Sequence, residues 1–467
     1  MVFSSLEFLL WFLPFFLATY YISPKKSKNF ILAFFSLVFY AYGCLKNPLY
    51  FLLIILSIFI NYLLGIFISK GKGKGLFLSI GLILDFGALF VFKYLDFLLD
   101  SINKVTNYFD FLPSTSLELT RLALPIGISF YTFQIVSYLI DVYRGNAKAE
   151  KNLINLTAYI SAFPQLIAGP IVKYNDISSK LKDRCVNKAM IIEGAEKFIF
   201  GLGFKVILAN RLSGVWNEAV KIGFADLSQK MAVISIIGYS LQLYFDFYGY
   251  SLMAIGLGKM MGFDFPVNFR EPYMAVSMTD FWRRWHMTLG SWFKEYVYIP
   301  LGGNRKGKLR TYLNLFIVWL LTGIWHGAGV NFLLWGLFLA VIIIIEKLFL
   351  GKFLEKFRLI GHIYMIFLIP LSWLLFEAGS LGDIKDFILC LLNRGGEFVY
   401  SDDWRACLEK FWPYLLSGLA FSTPAFRYLY EKVKGRWYCL PVLIIILAFS
   451  IYNIYMGLDD PFMYFRF

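Results

Sequence analysis

The run Leu49-Tyr-Phe-Leu-Leu-Ile-Ile-Leu-Ser-Ile-Phe-Ile-Asn-Tyr-Leu-Leu-Gly-Ile-Phe-Ile68 holds twenty residues without a charge. A helix rises 1.5 Å per residue, so this run is long enough to cross the ~30 Å hydrocarbon core of a bilayer. Lys70, Lys72 and Lys74 follow at once, as basic loops do on the cytoplasmic side of a span. Similar runs recur over the whole chain, at roughly 4–22, 29–45, 76–99, 125–142, 193–210, 228–257, 312–325, 327–346, 359–377, 409–422 and 437–456. The expected fold is an all-α polytopic membrane protein of about 11–12 transmembrane helices.

Composition agrees. The 467 residues are 59% hydrophobic and 20% aromatic, with only 16% charged. Mean hydropathy is +0.63. A water-soluble domain of ordinary composition carries ~25% charge. A membrane β-barrel would show short alternating segments instead. The net charge of +14 lies in short loops, so it is read as a topology signal and a contact for anionic membrane lipid, not for nucleic acid. Residues 4–22 lack a basic leader and a small-residue cleavage site, so a retained span is expected there. The five cysteines are scattered without metal-ligand spacing, and no metal site is expected. Cys390 and Cys407 have the option of one disulfide; free buried thiols are the plainer reading.

Loop charge sets orientation. Lys25, Lys26 and Lys28 follow the first run, which places the N-terminus outside. The loops 143–151 and 173–188 are both basic, so the apolar stretch 153–172 between them must enter and leave on one side. It contains Phe163-Pro-Gln-Leu-Ile-Ala-Gly-Pro170, and proline breaks helical hydrogen bonding. A re-entrant loop is expected, with a kinked span as the alternative. Residues 262–311 form the longest polar stretch and are expected to be cytoplasmic or interfacial. Within it, Trp282–Trp292 is spaced like a surface helix, with His286 on the face of Trp282. One membrane-embedded domain over 1–467 is the economical organisation, with an extracytoplasmic aromatic tail at 457–467.

The chain has only three histidines. His286 lies in Asp280-Phe-Trp-Arg-Arg-Trp-His286, and His326 in Thr322-Gly-Ile-Trp-His-Gly327. An imidazole in an apolar pocket stays neutral, which suits it to take a proton from an attacking hydroxyl. A second histidine beside it orients substrate or stabilises an oxyanion. Two histidines without an acidic cluster fit acyl transfer better than zinc chemistry, which needs three or four ligands. His362 opens a span and reads as interfacial. Tyr244-Phe-Asp-Phe-Tyr-Gly-Tyr-Ser251 puts Asp246 inside an apolar run, where it either lines a substrate channel or pairs with a cation on another helix. Gly302-Gly-Asn-Arg305 has the composition of an anion-cradling turn, and most such loops are simply turns.

Taken together, these segments resemble the membrane-bound O-acyltransferase family, and its bacterial alginate O-acetyltransferase-like branch in particular. The resemblance runs over the full chain and is most specific across 242–336. It rests on the segments around Asp246, His286 and His326, on Tyr298-Ile-Pro-Leu-Gly-Gly-Asn-Arg305, and on Phe163–Ile171. It implies a helical bundle around a tunnel, with His326 in the catalytic position and His286 in the second functional position. Tyr244, Asp246, Arg283, Arg284, Asn304 and Trp325 are the substrate-binding expectations. No bound cofactor is expected. The implied donor is a cytoplasmic thioester, acetyl-CoA. The implied acceptor is a cell-surface polysaccharide, reached through an extracytoplasmic acetyltransferase partner. The ending Pro461-Phe-Met-Tyr-Phe-Arg-Phe467 resembles aromatic tails in which a tyrosine carries the acyl group, and Tyr464 matches that position. The alternative is an interfacial anchor. The competing functions are D-alanyl transfer to teichoic acid from a carrier protein, and a glycan transporter or flippase. The second lacks paired interrupted segments in two matching halves.

Overall fold

The computed structural model describes residues 1–108, 117–167, 169–394 and 402–457. All regular structure among them is helical. Each of the twelve apolar runs forms a helix. Six helices among the described residues are long and apolar enough to cross a membrane: Leu49–Ser69, Lys74–Lys93, Lys188–Ile222, Gln229–Met260, Val330–Lys356 and Arg358–Glu377. The chain falls into two compact units.

The first unit is essentially Leu10–Cys185. It holds α1 (Leu13–Ile22), α2 (Lys28–Gly43), α3 (Leu49–Ser69), α4 (Lys74–Lys93), α5 (Leu95–Tyr108), α6 (Ile128–Arg144), α7 (Leu153–Ile160), α8 (Phe163–Leu166) and α9 (Tyr174–Lys182). Among the described residues, the stretch expected to be re-entrant contains no crossing helix. Asn152 caps α7 by accepting from the Ile154 and Asn155 amides, and α7 ends after eight residues, about 12 Å. A single turn and irregular buried backbone follow, and Tyr159 Oη donates to the Val172 carbonyl across the break at 3.0 Å.

The second unit is built mainly from 186–326 and 330–467. Its helices are α10 (Lys188–Ile222), α11 (Gln229–Met260), α12 (Met278–Trp282), α13 (Met287–Phe293), α14 (Lys308–His326), α15 (Val330–Lys356), α16 (Arg358–Glu377), α17 (Leu381–Leu391), α18 (Asp403–Phe421), α19 (Pro424–Val433) and α20 (Cys439–Tyr455). The apolar run at 327–346 continues as one helix through Lys356, so Lys347 and Lys352 lie on α15. Cys390 and Cys407 are free and buried, so the disulfide option is not taken.

Helices α10 and α11 touch backbone to backbone. A Cβ on Gly201 would stand 2.5 Å from the Gly249 carbonyl oxygen, and one on Gly194 would stand 2.6 Å from that of Gly256. Both pairs are seven residues apart on their helices, so the contact spans two turns. At its end a π-helical turn, Phe204–Ala209, interrupts α10. Lys205 in that turn reaches Asp246 of α11 at 2.7 Å, with both side chains buried. Lys205 also donates to Asn210 Oδ1 at 2.9 Å. Of the two readings of Asp246, pairing with a cation on another helix is the one the geometry matches. Removing one member of a buried pair costs about 3–5 kcal/mol, whereas replacing both with apolar groups is often neutral. Lys205→Met should therefore lower the thermal unfolding midpoint in detergent by more than the double change Lys205→Met/Asp246→Leu. A double variant less stable than the single one would contradict this account.

Candidate active site

Asn268 sets the state of His286. Its Oδ1 accepts from the Thr288 backbone amide at 3.3 Å and from the Thr288 hydroxyl at 2.9 Å. A backbone N–H only donates, so the amide oxygen must face this cluster. The His286 Nδ1 lies 3.1 Å from the same oxygen. Nδ1 therefore carries the proton, and Nε2 holds the lone pair. Nε2 is buried and has no hydrogen-bond partner among the described residues. Burial holds the imidazole in its neutral form, with its pKa lowered to about 3.

The backbone around His286 departs from the sequence expectation. Trp282–Trp292 is not one helix. α12 ends at Trp282, His286 takes left-handed backbone (φ +43°), and α13 begins at Met287. His286 thus shares no helical face with Trp282. It is the pivot of a sharp turn, and its ring meets Phe247 of α11 edge-on at 4.7 Å.

His326 ends α14 and is buried. Trp335 and Phe376 meet its ring edge-on at 5.1 and 5.2 Å. Such offset edge contacts are the favoured aromatic geometry. α14 and α15 approach closely where a Cβ on Gly323 would stand 2.5 Å from the Phe332 carbonyl oxygen. That closeness puts Trp335 against His326. Trp325 joins the two histidines, with its ring 4.8 Å from His326 and 6.3 Å from His286.

Glu346, which carried no signal in the sequence, ties this assembly together. It is buried in α15 and accepts from the Met278 amide (2.6 Å), the Thr279 amide (2.8 Å), the Thr279 hydroxyl (2.6 Å) and Tyr364 Oη (3.2 Å). It thereby receives the unsatisfied N–H groups that open α12. α12 carries Trp282, whose ring packs on Trp319, Trp335 and Trp373. The carboxylate holds the His286 turn against the helix pair that bears His326.

The remaining expectations separate into two groups. Tyr244 lines a cavity of about 260 Å³ that also reaches Asn268, Lys197, Arg270, Arg427 and Tyr430. His286, Trp325, His326 and Tyr244 thus belong to one region of the second unit. Asp246 faces Lys205 and does not line the cavity. Arg283 is exposed, and Arg284 donates to Asp280 at 3.0 Å. Asn304 is exposed and accepts from Tyr298 Oη and, at 3.3 Å, from Lys347. It braces its own loop, which turns through left-handed Gly302 and Gly303. Tyr464 lies outside the described residues.

The family model of the membrane-bound O-acyltransferases matches residues 146–376, the stretch that holds both histidines and Glu346. The chain is 40% identical over 413 residues to the probable alginate O-acetylase AlgI of Pseudomonas syringae pv. tomato, covering 84% of this chain and 77% of the relative. It is 30% identical over 535 aligned positions to the peptidoglycan O-acetyltransferase of Helicobacter pylori, covering 100% and 98%. Similarity to the teichoic acid D-alanyltransferase of Bacillus subtilis is lower, 27% over 246 residues, covering 50% and 61%. The chain belongs to the membrane-bound O-acyltransferase family. It is a multi-pass membrane enzyme, an O-acetyltransferase.

Two outcomes follow. Glu346→Gln sets an NH2 group against the amides that open α12, so it should lower acetyl-transfer turnover on the order of tenfold or more while membrane accumulation persists. Unchanged turnover would remove Glu346 from the positioning of the site. The second concerns pH. Unfolded chain takes up a proton at His286 near pH 6.5, whereas the folded imidazole does so only near about 3. Stability from this group is complete above ~6.5 and is lost as pH falls towards the folded value. The unfolding midpoint of wild type should drop more between pH 7 and pH 4 than that of His286→Gln. Parallel curves would mean that the folded imidazole takes up its proton as readily as the unfolded one.

Proposed function

We propose that this enzyme takes an acetyl group from a cytoplasmic thioester, acetyl-CoA, and passes it across the membrane for O-acetylation of a cell-surface polysaccharide. The observation that carries the reading is the convergence of two buried imidazoles on Trp325, beside a cavity lined by Lys197, Arg270 and Arg427 together with Glu271 and Glu431. Arg270, exposed at that cavity, suits a phosphate of a coenzyme thioester, while Lys197 and Arg427 pair with Glu193 and Glu271. The names of the relatives support a polymer acceptor, alginate in one case and peptidoglycan in another.

In this reading His326 is the general base. It takes the proton of an attacking hydroxyl as the oxygen bonds to the thioester carbonyl. The C–S bond then breaks, and the proton passes to the departing thiolate. The Nε2 lone pair of His286 would repel an oxyanion, so its role is to accept a hydrogen bond from the donor and hold it in line. The attacking hydroxyl is that of Tyr464 on the C-terminal tail. The resulting acyl-tyrosine gives its acetyl to a polysaccharide hydroxyl through an extracytoplasmic acetyltransferase partner, which regenerates the phenol. Basic loops favour both termini on the extracytoplasmic side. Direct transfer to the acceptor without the tail remains the competing route.

Purified enzyme incubated with radiolabelled acetyl-CoA should acquire covalent label, and both His326→Ala and Tyr464→Phe should lose it. Label that survives Tyr464→Phe but not His326→Ala would discard the tail carrier and keep the base. Label on all three proteins would overturn both assignments. Label absent with acetyl-CoA but present with an acyl carrier protein thioester would replace the donor.

A further inference from the structure

A second cavity in the same unit has no part in this chemistry. It is a furrow of about 580 Å³ between α10, α18, α19 and α20. Ile207, Leu208, Pro413, Leu429, Val442 and Ile446 are among its walls. Phe421 lies eight positions after Pro413 on α18, so the furrow runs about 12 Å along that helix. Its walls are apolar, and apolar cavities do not hold water. Van der Waals contact favours filling such a space with hydrocarbon.

The charge at one end says which hydrocarbon. α19 ends at Val433 and is followed by Lys434, Gly435 and Arg436, beside the furrow residues Val433 and Tyr438. Lys434 pairs with Glu431, and Arg427 pairs with Glu271 at 2.7 Å. Lys432 and Arg436 are exposed and have no acidic partner among the described residues. Lys432 lies over the Tyr428 ring at 4.2 Å. Lys432 directly precedes the furrow residue Val433, and the Arg436 amide donates to the Val433 carbonyl at 3.1 Å, so two exposed cations adjoin the end where a headgroup would sit.

We propose that this furrow is a binding site for one anionic phospholipid. An acyl chain lies between α10 and α20, and the phosphate-bearing headgroup meets Lys432 and Arg436. The site bears on the enzyme through a shared wall. Phe200, Phe421, Phe426 and Tyr430 line both this furrow and the polar cavity beside Asn268. Phe426 is the centre of that wall, with ring contacts to Phe200, Phe204 and Phe421 at 5.7, 5.0 and 5.4 Å. Lipid in the furrow backs the wall from its far side.

The test is native mass spectrometry of the full chain, with phosphatidylglycerol and phosphatidylcholine of identical chains in competition. Wild type should retain one phosphatidylglycerol in preference. The expected preference is roughly fivefold for each cation that meets the headgroup. Lys432→Gln/Arg436→Gln should remove the preference and still take either lipid. Val442→Trp fills the furrow at a half-exposed position and should remove retention of both. Leu429→Trp does the same from α19 should Val442→Trp fail to accumulate. Equal retention of the two lipids by wild type would overturn the proposal, as would a preference that survives the charge variant. Retention unchanged in a folded furrow-filling variant would overturn it as well, because the lipid would then sit elsewhere.

Discussion

The second unit depends on the direct contact of α10 with α11. Glycines at 194, 201, 249 and 256 let the two backbones meet, and a side chain at any of them would collide with a carbonyl oxygen. Hydrocarbon solvent gives no hydrophobic force for helix association, so close packing and polar links must hold the pair. The Lys205–Asp246 bridge is such a link, at 2.7 Å. The π-helical turn at Phe204–Ala209 is the local departure that presents Lys205 there. With α11 fixed, Tyr244 and Phe247 are fixed as well, one on the cavity and one on the His286 ring.

Aromatic rings do the rest of the positioning. Trp282, Trp319, Trp335 and Trp373 interlock at edge-on angles, and Trp335 also touches His326. Large rigid rings lose few rotamers on packing, so they hold a site at low entropic cost. This is one use of a chain that is 20% aromatic. The cost of such a cage is that its backbone must be pinned. Glu346 does this for the start of α12, where no intrahelical acceptor exists.

Much of this was legible in the sequence, and what escaped did so for physical reasons. The six long apolar helices were readable because a bilayer demands length and apolarity together. His286 and His326 were readable because imidazoles are rare in this chain and costly in apolar surroundings. The turn at His286 was not. Helix breaks are read from proline and glycine, and here a histidine takes the left-handed backbone because Asn268 and Thr288 hold it. Glu346 sits at the end of an apolar run, where charge ordinarily reports topology, so nothing local separated it from loop charge, and the pairing of Lys205 with Asp246 depends on a helix contact that local sequence does not show. Asn304 misled in the other direction. Its glycine-rich loop has the composition of an anion site, yet its side chain is spent on Tyr298 and Lys347.

The buried carboxylates and the buried His286 imidazole meet their polar requirements differently. Glu346 accepts four hydrogen bonds, and Asp246 faces an ammonium group. Both are buried ions whose desolvation is offset on the spot, as a purely structural group requires. His286 is treated differently. Its Nδ1 is bonded, while Nε2 is buried with its lone pair open. A buried polar atom left open costs about 1–3 kcal/mol, and the fold had cheaper options, since a phenylalanine or leucine would fill the same space without it. The neighbouring groups do not supply the missing bond; they hold the ring so that the open nitrogen points consistently. An acceptor kept vacant and aimed is what a transient partner needs, and that separates His286 from the satisfied carboxylates of Glu346 and Asp246.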